Sequence, residues 1–70
     1  MDIVHVQISA ANVGYDALRH ILEFHFGASG HVWQFYNVPE AVWYAVRKSG
    51  AAQAYIVTNV IGIYPAKRII

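Results

Sequence analysis

Three stretches of the chain alternate apolar and polar positions with a period of two. From Ile3 to Ile8, Val4, Val6 and Ile8 fall on one side and Ile3, His5 and Gln7 on the other. From His20 to Phe26, Leu22, Phe24 and Phe26 oppose Ile21, Glu23 and His25. From His31 to Tyr36, His31, Trp33 and Phe35 oppose Val32, Gln34 and Tyr36. Alternation in β-branched and aromatic residues marks strands with one buried face. Gly27-Ala28-Ser29-Gly30 has hairpin-loop length and glycine content, so the last two of these strands are expected as antiparallel neighbours. Earlier, Ser9-Ala10-Ala11-Asn12 breaks the alternation, and Gly14 suggests a bend or bulge. A short strand is expected near Tyr15, turning through Asp16-Ala17-Leu18-Arg19, where Asp16 suits a side-chain bond to the turn backbone.

The period changes at Pro39. Proline cannot serve a sheet ladder but suits the first turn of a helix, and Glu40 adds a carboxylate where the helix dipole favours one. The helix that runs from Pro39 carries Val42, Ala45, Val46 and Ser49 on one stripe, with Trp43 and Tyr44 as an aromatic flank. Arg47 and Lys48 fall in its last turn, and Gly50 supplies a stop. Ala51-Ala52-Gln53-Ala54 fits either a further helical turn or a loop. Tyr55 to Tyr64 fits a strand, a bent strand, or a short helix followed by a strand, and Pro65 closes it, leaving Ala66 to Ile70 as a tail. The expected architecture is a small α+β domain, an antiparallel sheet of three to five strands with one helix packed across it. Its core is expected to hold Val4, Val6, Ile8, Leu22, Phe24, Phe26, Phe35, Val42 and Val46.

Composition narrows the classes. Seventy residues suit one domain over 1–70, and a chain of that size buries only about 60% of its unfolded surface. With no cysteine, disulfides and thiolate zinc sites are excluded. The chain is 57% hydrophobic and 14% aromatic, so apolar surface is expected to remain for a partner or a second copy, and a homo-oligomer is the expectation. A net charge of +1 is far from that of a dedicated nucleic-acid binder. No apolar run approaches the roughly 18 residues of a membrane span, and Met1-Asp2-Ile3 does not open a signal peptide. No membrane association and a cytoplasmic location are expected.

Candidate chemistry is sparse. His20 and His25, five residues apart on a strand, leave on opposite faces and cannot chelate together, while His5 and His31 meet only across strands. Ser9, Ser29 and Ser49 sit in turns or at a helix end, with two aspartates and two glutamates in all to orient a base. No phosphate-cradling glycine loop is present. The expectation is a protein that is not an enzyme and that carries neither metal nor cofactor. The aromatics offer more. Trp33 and Phe35 fit a core position opposite Leu22, Phe24 and Phe26. The alternative to that core role is a base-stacking platform flanked by His31 and reached by Arg47, Lys48, Lys67 or Arg68. Tyr36, Trp43, Tyr44, Tyr55 and Tyr64 are expected to be partly exposed, and Tyr36, Trp43 and Tyr44 are the candidates for a protein-binding surface.

Several of these residues also fall in a family's pattern. Gly14-Tyr15-Asp16, Leu22-Glu23-Phe24-His25-Phe26, Trp33-Gln34-Phe35-Tyr36, Val38-Pro39, and Tyr55, Val60 and Tyr64 stand in the order and spacing of one module. From Ser9 to Tyr64 the chain resembles the KTSC domain, found at the C-terminus of some lysyl-tRNA synthetases and as stand-alone bacterial and phage proteins. The chain departs from that pattern in four places. Ala51 and Gln53 stand where the family usually has serine and glycine, Val57 at a polar position, commonly asparagine, and Ile61 at a basic one. The synthetase context of the family implies RNA binding. Two functions follow as expectations. One is weak nucleic-acid binding, preferably of RNA, through Arg47, Lys48, Lys67, Arg68 and Trp33. The other is a protein-binding module, of the kind a phage inhibitor of a bacterial factor would be, working through Tyr36, Trp43 and Tyr44.

Overall fold

The computed structural model describes residues 4–8, 11–26 and 30–70, with residues 4–8 and 11 described in their backbone alone. The chain runs β1 (Val4–Ile8), β2 (Ala11–Asp16), β3 (Ile21–His25), β4 (Val32–Phe35), α1 (Glu40–Ser49), α2 (Ala52–Asn59) and β5 (Ala66–Arg68). The five strands form one antiparallel sheet in the order β1-β2-β3-β4-β5. Both helices lie between β4 and β5 in the chain, so a meander of four strands is completed by a strand that returns from the helical layer. This is the α+β sheet expected from the alternation, with two helices where one was expected.

The three alternating stretches appear as β1, β3 and β4, and β3 pairs β4 antiparallel with Phe24 opposite Trp33 and Leu22 opposite Phe35. The strand near Tyr15 is longer than its pattern suggests. Its register runs unbroken through Gly14, which faces His5 on one side and Glu23 on the other, so the glycine marks neither bend nor bulge. Asp16 ends β2 as expected, its Oδ1 accepting the backbone N–H of Leu18 and of Arg19 at 3.0 and 3.2 Å.

The core lies between the sheet and the two helices. Val13, Leu22, Phe24, Val38, Val46, Ala52, Ile56 and Val60 are fully buried and Phe35 nearly so, while Phe26 and Val42 pack against them half-buried. The side chains of Val4, Val6 and Ile8, also expected in the core, lie outside the described set, as does the Gly27-Ala28-Ser29 part of the hairpin loop. Pro39 occupies the position just before α1 rather than its first turn, and Gly50 closes the helix in the left-handed region at φ 69°. The buried line of α1 is Trp43 and Val46. Ser49, expected on the stripe, is exposed, and Trp43, expected on a flank, is central.

Residues 51–64 show packing overriding local preference. Ala52, Ile56 and Val60 recur every four residues, and helical coiling brings all three to the core within a rise of about 12 Å, whereas a strand would string them over roughly 26 Å. β-Branched preference for strand is a weak prior beside that burial. The chain leaves α2 through a turn in which Tyr64 donates its N–H to the Val60 carbonyl at 3.2 Å and Gly62 takes φ 84°. Ala66 to Ile70 then is no free tail: Ala66–Arg68 is a strand on β4, and Ile69 continues the pairing with an N–H donated to Val32 O at 2.9 Å.

Candidate functional site

Where the helical layer meets the β4–β5 end of the sheet, an apolar groove of about 250 Å³ stays open to the surface. Phe26, Trp33 and Phe35 form its floor from β3, the residue after it, and β4; Ile61 and Gly62 form one wall, and Ala66 of β5 the other. Each contributes for a local reason. Phe26 is held by an edge-to-face contact with Phe24, ring centroids 4.5 Å apart. Ala66 and Gly62 are too small to fill the space beside them. At Gly62 an added Cβ would meet nothing within 4 Å, so it is the positive φ and not crowding that favours glycine there. Trp33 is half-buried, part core and part groove floor, which joins the two roles between which its pattern left a choice.

The candidate residues read from the sequence do not form one surface. Trp43 is only 6% exposed, so it is corrected from surface anchor to core. Its ring stacks on Tyr15 with centroids 5.6 Å apart and planes 12° apart, and the Arg47 guanidinium lies 5.6 Å from its centroid. The Tyr15 hydroxyl donates to the Val38 carbonyl at 2.6 Å, while the Val38 N–H goes to His20 O at 2.9 Å. Burial first, then the carboxylates of Glu40 and Asp16, hold the Tyr15 phenol above its ordinary pKa of 10.0. Tyr44 is exposed on α1, and Tyr36 lies on the other face of the sheet from the groove, half-buried. Tyr55 and Tyr64 are half-buried against the core.

The cations are divided in the same way. Neighbouring residues on a strand leave on opposite faces. Lys67, opposite Gln34, belongs to the face of the sheet away from the groove, and Arg68, opposite Trp33, to the face that bears it. Arg47 is placed on Trp43, and Lys48 is exposed at the end of α1. Of the proposed nucleic-acid contacts, β-pairing brings together Trp33 and Arg68.

The face of the sheet away from the groove carries a polar chain that the sequence pattern did not single out. Tyr36 Oη donates to Gln34 Oε1 at 3.0 Å, Gln34 Nε2 donates to Glu23 Oε1 at 3.0 Å, and Glu23 Oε2 accepts from His25 Nε2 at 3.1 Å. Glu23 is 8% exposed, so these bonds satisfy a carboxylate largely removed from water. The signal was present as two i, i+2 pairs, Glu23/His25 and Gln34/Tyr36, on the polar sides of adjacent strands. Together these residues orient one another, and two of the three described carboxylates, Asp16 and Glu23, are engaged in such structural bonds.

The KTSC domain family matches this chain over residues 8–64. A solved structure, a KTSC domain protein from Yersinia pestis, superposes with a TM-score of 0.86 over 99% of this chain and 100% of that one, at 19% sequence identity, and so shares its fold. Comparison with curated proteins returns no match. The resemblance carried by Tyr15-Asp16, the Trp33-Gln34-Phe35-Tyr36 strand and the Val38-Pro39 corner thus extends over most of the chain, and the protein belongs to the KTSC domain family.

Proposed function

We propose that the chain is a non-catalytic protein-recognition module whose groove beside Trp33 and Ile61 seats an apolar side chain of its partner. The observation that carries this reading is the contrast between one open, wholly apolar-walled groove and a set of cations spread over separate faces. Burying a side chain of leucine or phenylalanine size in such a site is worth about 1.5–3 kcal/mol, enough for an anchoring contact. Single-strand nucleic-acid binders instead need a cationic track beside their aromatics, because affinity comes from counterions released at several phosphates. Here Arg68 alone accompanies Trp33, and the position that is basic in the family's pattern is Ile61, a groove wall.

Affinity capture from a bacterial lysate, with and without nuclease, tests this reading against RNA binding. Wild-type protein should retain a nuclease-resistant protein that Ile61→Glu loses, while the variant keeps its fold. Capture that nuclease abolishes, or RNA affinity that falls steeply with salt and ignores Ile61→Glu, would overturn it in favour of the nucleic-acid reading.

A further inference from the structure

The groove opens beside a sheet edge, and the pairing pattern shows what that edge offers. In an antiparallel ladder, pairs that exchange both backbone bonds alternate with pairs that exchange none. Ile69 donates to Val32 and Tyr36 donates to Pro65, so Lys67 opposite Gln34 is the next bonded pair, and Ala66 and Arg68 fall between. The backbone N–H and C=O groups of Ala66 and Arg68 therefore point away from β4. Among the described residues no strand lies beyond β5, and all three of its residues are exposed. An extended backbone is the shape that satisfies such an edge.

The side chains beside that edge restrict who can bind. A strand pairing antiparallel with β5 would bond to Ala66 and Arg68, which leaves Lys67 in a non-bonded pair, where facing Cα atoms come within about 4.5 Å. A second copy of this chain docked edge to edge in the register centred on β5 would put Lys67 against its own counterpart at that closest spacing, with Arg68 next to it. A partner with an acidic residue there gains instead of losing. The residue opposite Ala66 shares the groove's face, and the small methyl group leaves its side chain a path over the edge into the space between Trp33 and Ile61.

We propose that the free edge of β5 takes up an extended segment of a partner protein as an added antiparallel strand, with an acidic residue opposite Lys67 and an apolar residue opposite Ala66 entering the groove. This rests on the protein-recognition reading above and names the chemistry of the partner. Main-chain bonds at Ala66 and Arg68 supply the affinity, and the groove and Lys67 supply the choice of sequence.

The test selects binders from a displayed library of random nonapeptides on the full chain, then measures the enriched peptides by fluorescence anisotropy. Enrichment of an acidic residue followed by a large apolar one is the expected result. Arg68→Pro removes an outward N–H while leaving the bonds to β4, since proline is tolerated on an edge strand. It should weaken binding tenfold or more, with Arg68→Gln costing only a few-fold. N-methylation of the peptide at the residue opposite Arg68 should match the effect of Arg68→Pro, without touching the protein's fold. Lys67→Glu should reverse the preference to basic peptides. Binders that require Ile61 but ignore Arg68→Pro and N-methylation would overturn strand addition and leave the groove reading standing. Failure to enrich any groove-dependent peptide would overturn both. Sedimentation showing a dimer that Arg68→Pro dissociates would overturn the choice of a foreign partner.

Discussion

The corner where β2, β4 and α1 meet and the α2–β5 end of the molecule are built from similar apolar residues to opposite effect. At the corner, Tyr15, Val38, Trp43 and Val46 are buried, both backbone groups of Val38 are bonded, and two rings stack in near-parallel planes. At the other end, Val57, Ile61, Ile63, Ile69 and Ile70 remain 42–69% exposed, and Ile61 lines a groove that no described side chain fills. Apolar composition alone does not distinguish them. The corner spends its apolar surface on the fold, whereas the α2–β5 end holds surface back, as an association site does.

The comparison can be broken most decisively at Trp43. Trp43→Ala removes the ring stacked on Tyr15 and beneath Arg47 and should cost about 3–5 kcal/mol. A domain of this length has a total stability of only about 4–10 kcal/mol, so urea titration should find a variant near the limit of folding. A loss below about 1 kcal/mol would mean the ring is not a core element.

A smaller effect is expected at the hydroxyl that closes the corner. Tyr15→Phe leaves the buried Val38 carbonyl without its partner and should cost about 1–3 kcal/mol. It should also change the alkaline limb of stability. The folded-state pKa of Tyr15 is raised above its ordinary 10.0, so its contribution is complete below that value and is lost as pH rises through the folded-state value. Denaturant midpoints measured from pH 8 upward should fall less steeply for Tyr15→Phe than for wild type. Parallel curves would show that the phenol does not titrate with unfolding.

On the face away from the groove, Gln34→Ala removes the link between Tyr36 and Glu23 and leaves a largely buried carboxylate with fewer donors. A cost of about 1 kcal/mol is expected, read from the same titration. Glu23→Gln with Gln34→Glu should recover part of it, because the exchanged pair can still bond.

The least effect on stability, and the largest difference from Trp43, is expected at Ile61. Ile61→Glu and Ile63→Ser should each stay within about 0.5 kcal/mol of wild type, as surface changes do, while reducing partner capture by this end. A loss of 2 kcal/mol at Ile61 would erase the contrast and make the groove part of the core.

How much of this was legible beforehand follows from the range of each signal. Alternation is local, so Leu22-Glu23-Phe24-His25 and Trp33-Gln34-Phe35 announced β3, β4 and their shared buried face without reference to the rest of the chain. Punctuation is local too: Asp16 bonds its own turn, and Gly50 ends α1 because glycine accepts the left-handed backbone there. The same strands and corner carried the KTSC family resemblance. What only the tertiary structure decided lies where a segment's partner is distant in sequence. Ala52–Asn59 became a helix, closed by Val60, because coiling gathers Ala52, Ile56 and Val60 into the core over a short rise, against the β-branched preference for a strand. Trp43 rather than Ser49 turned inward because Tyr15, 28 positions earlier, offers a ring to stack on. Ala66–Arg68 became a strand through pairing with β4 alone, since three exposed residues have no alternation to show. That pairing sends Lys67 and Arg68 to opposite faces and sets Ala66 opposite Phe35, so both the division of the cations and the groove itself come from long-range pairing, which no local period can report.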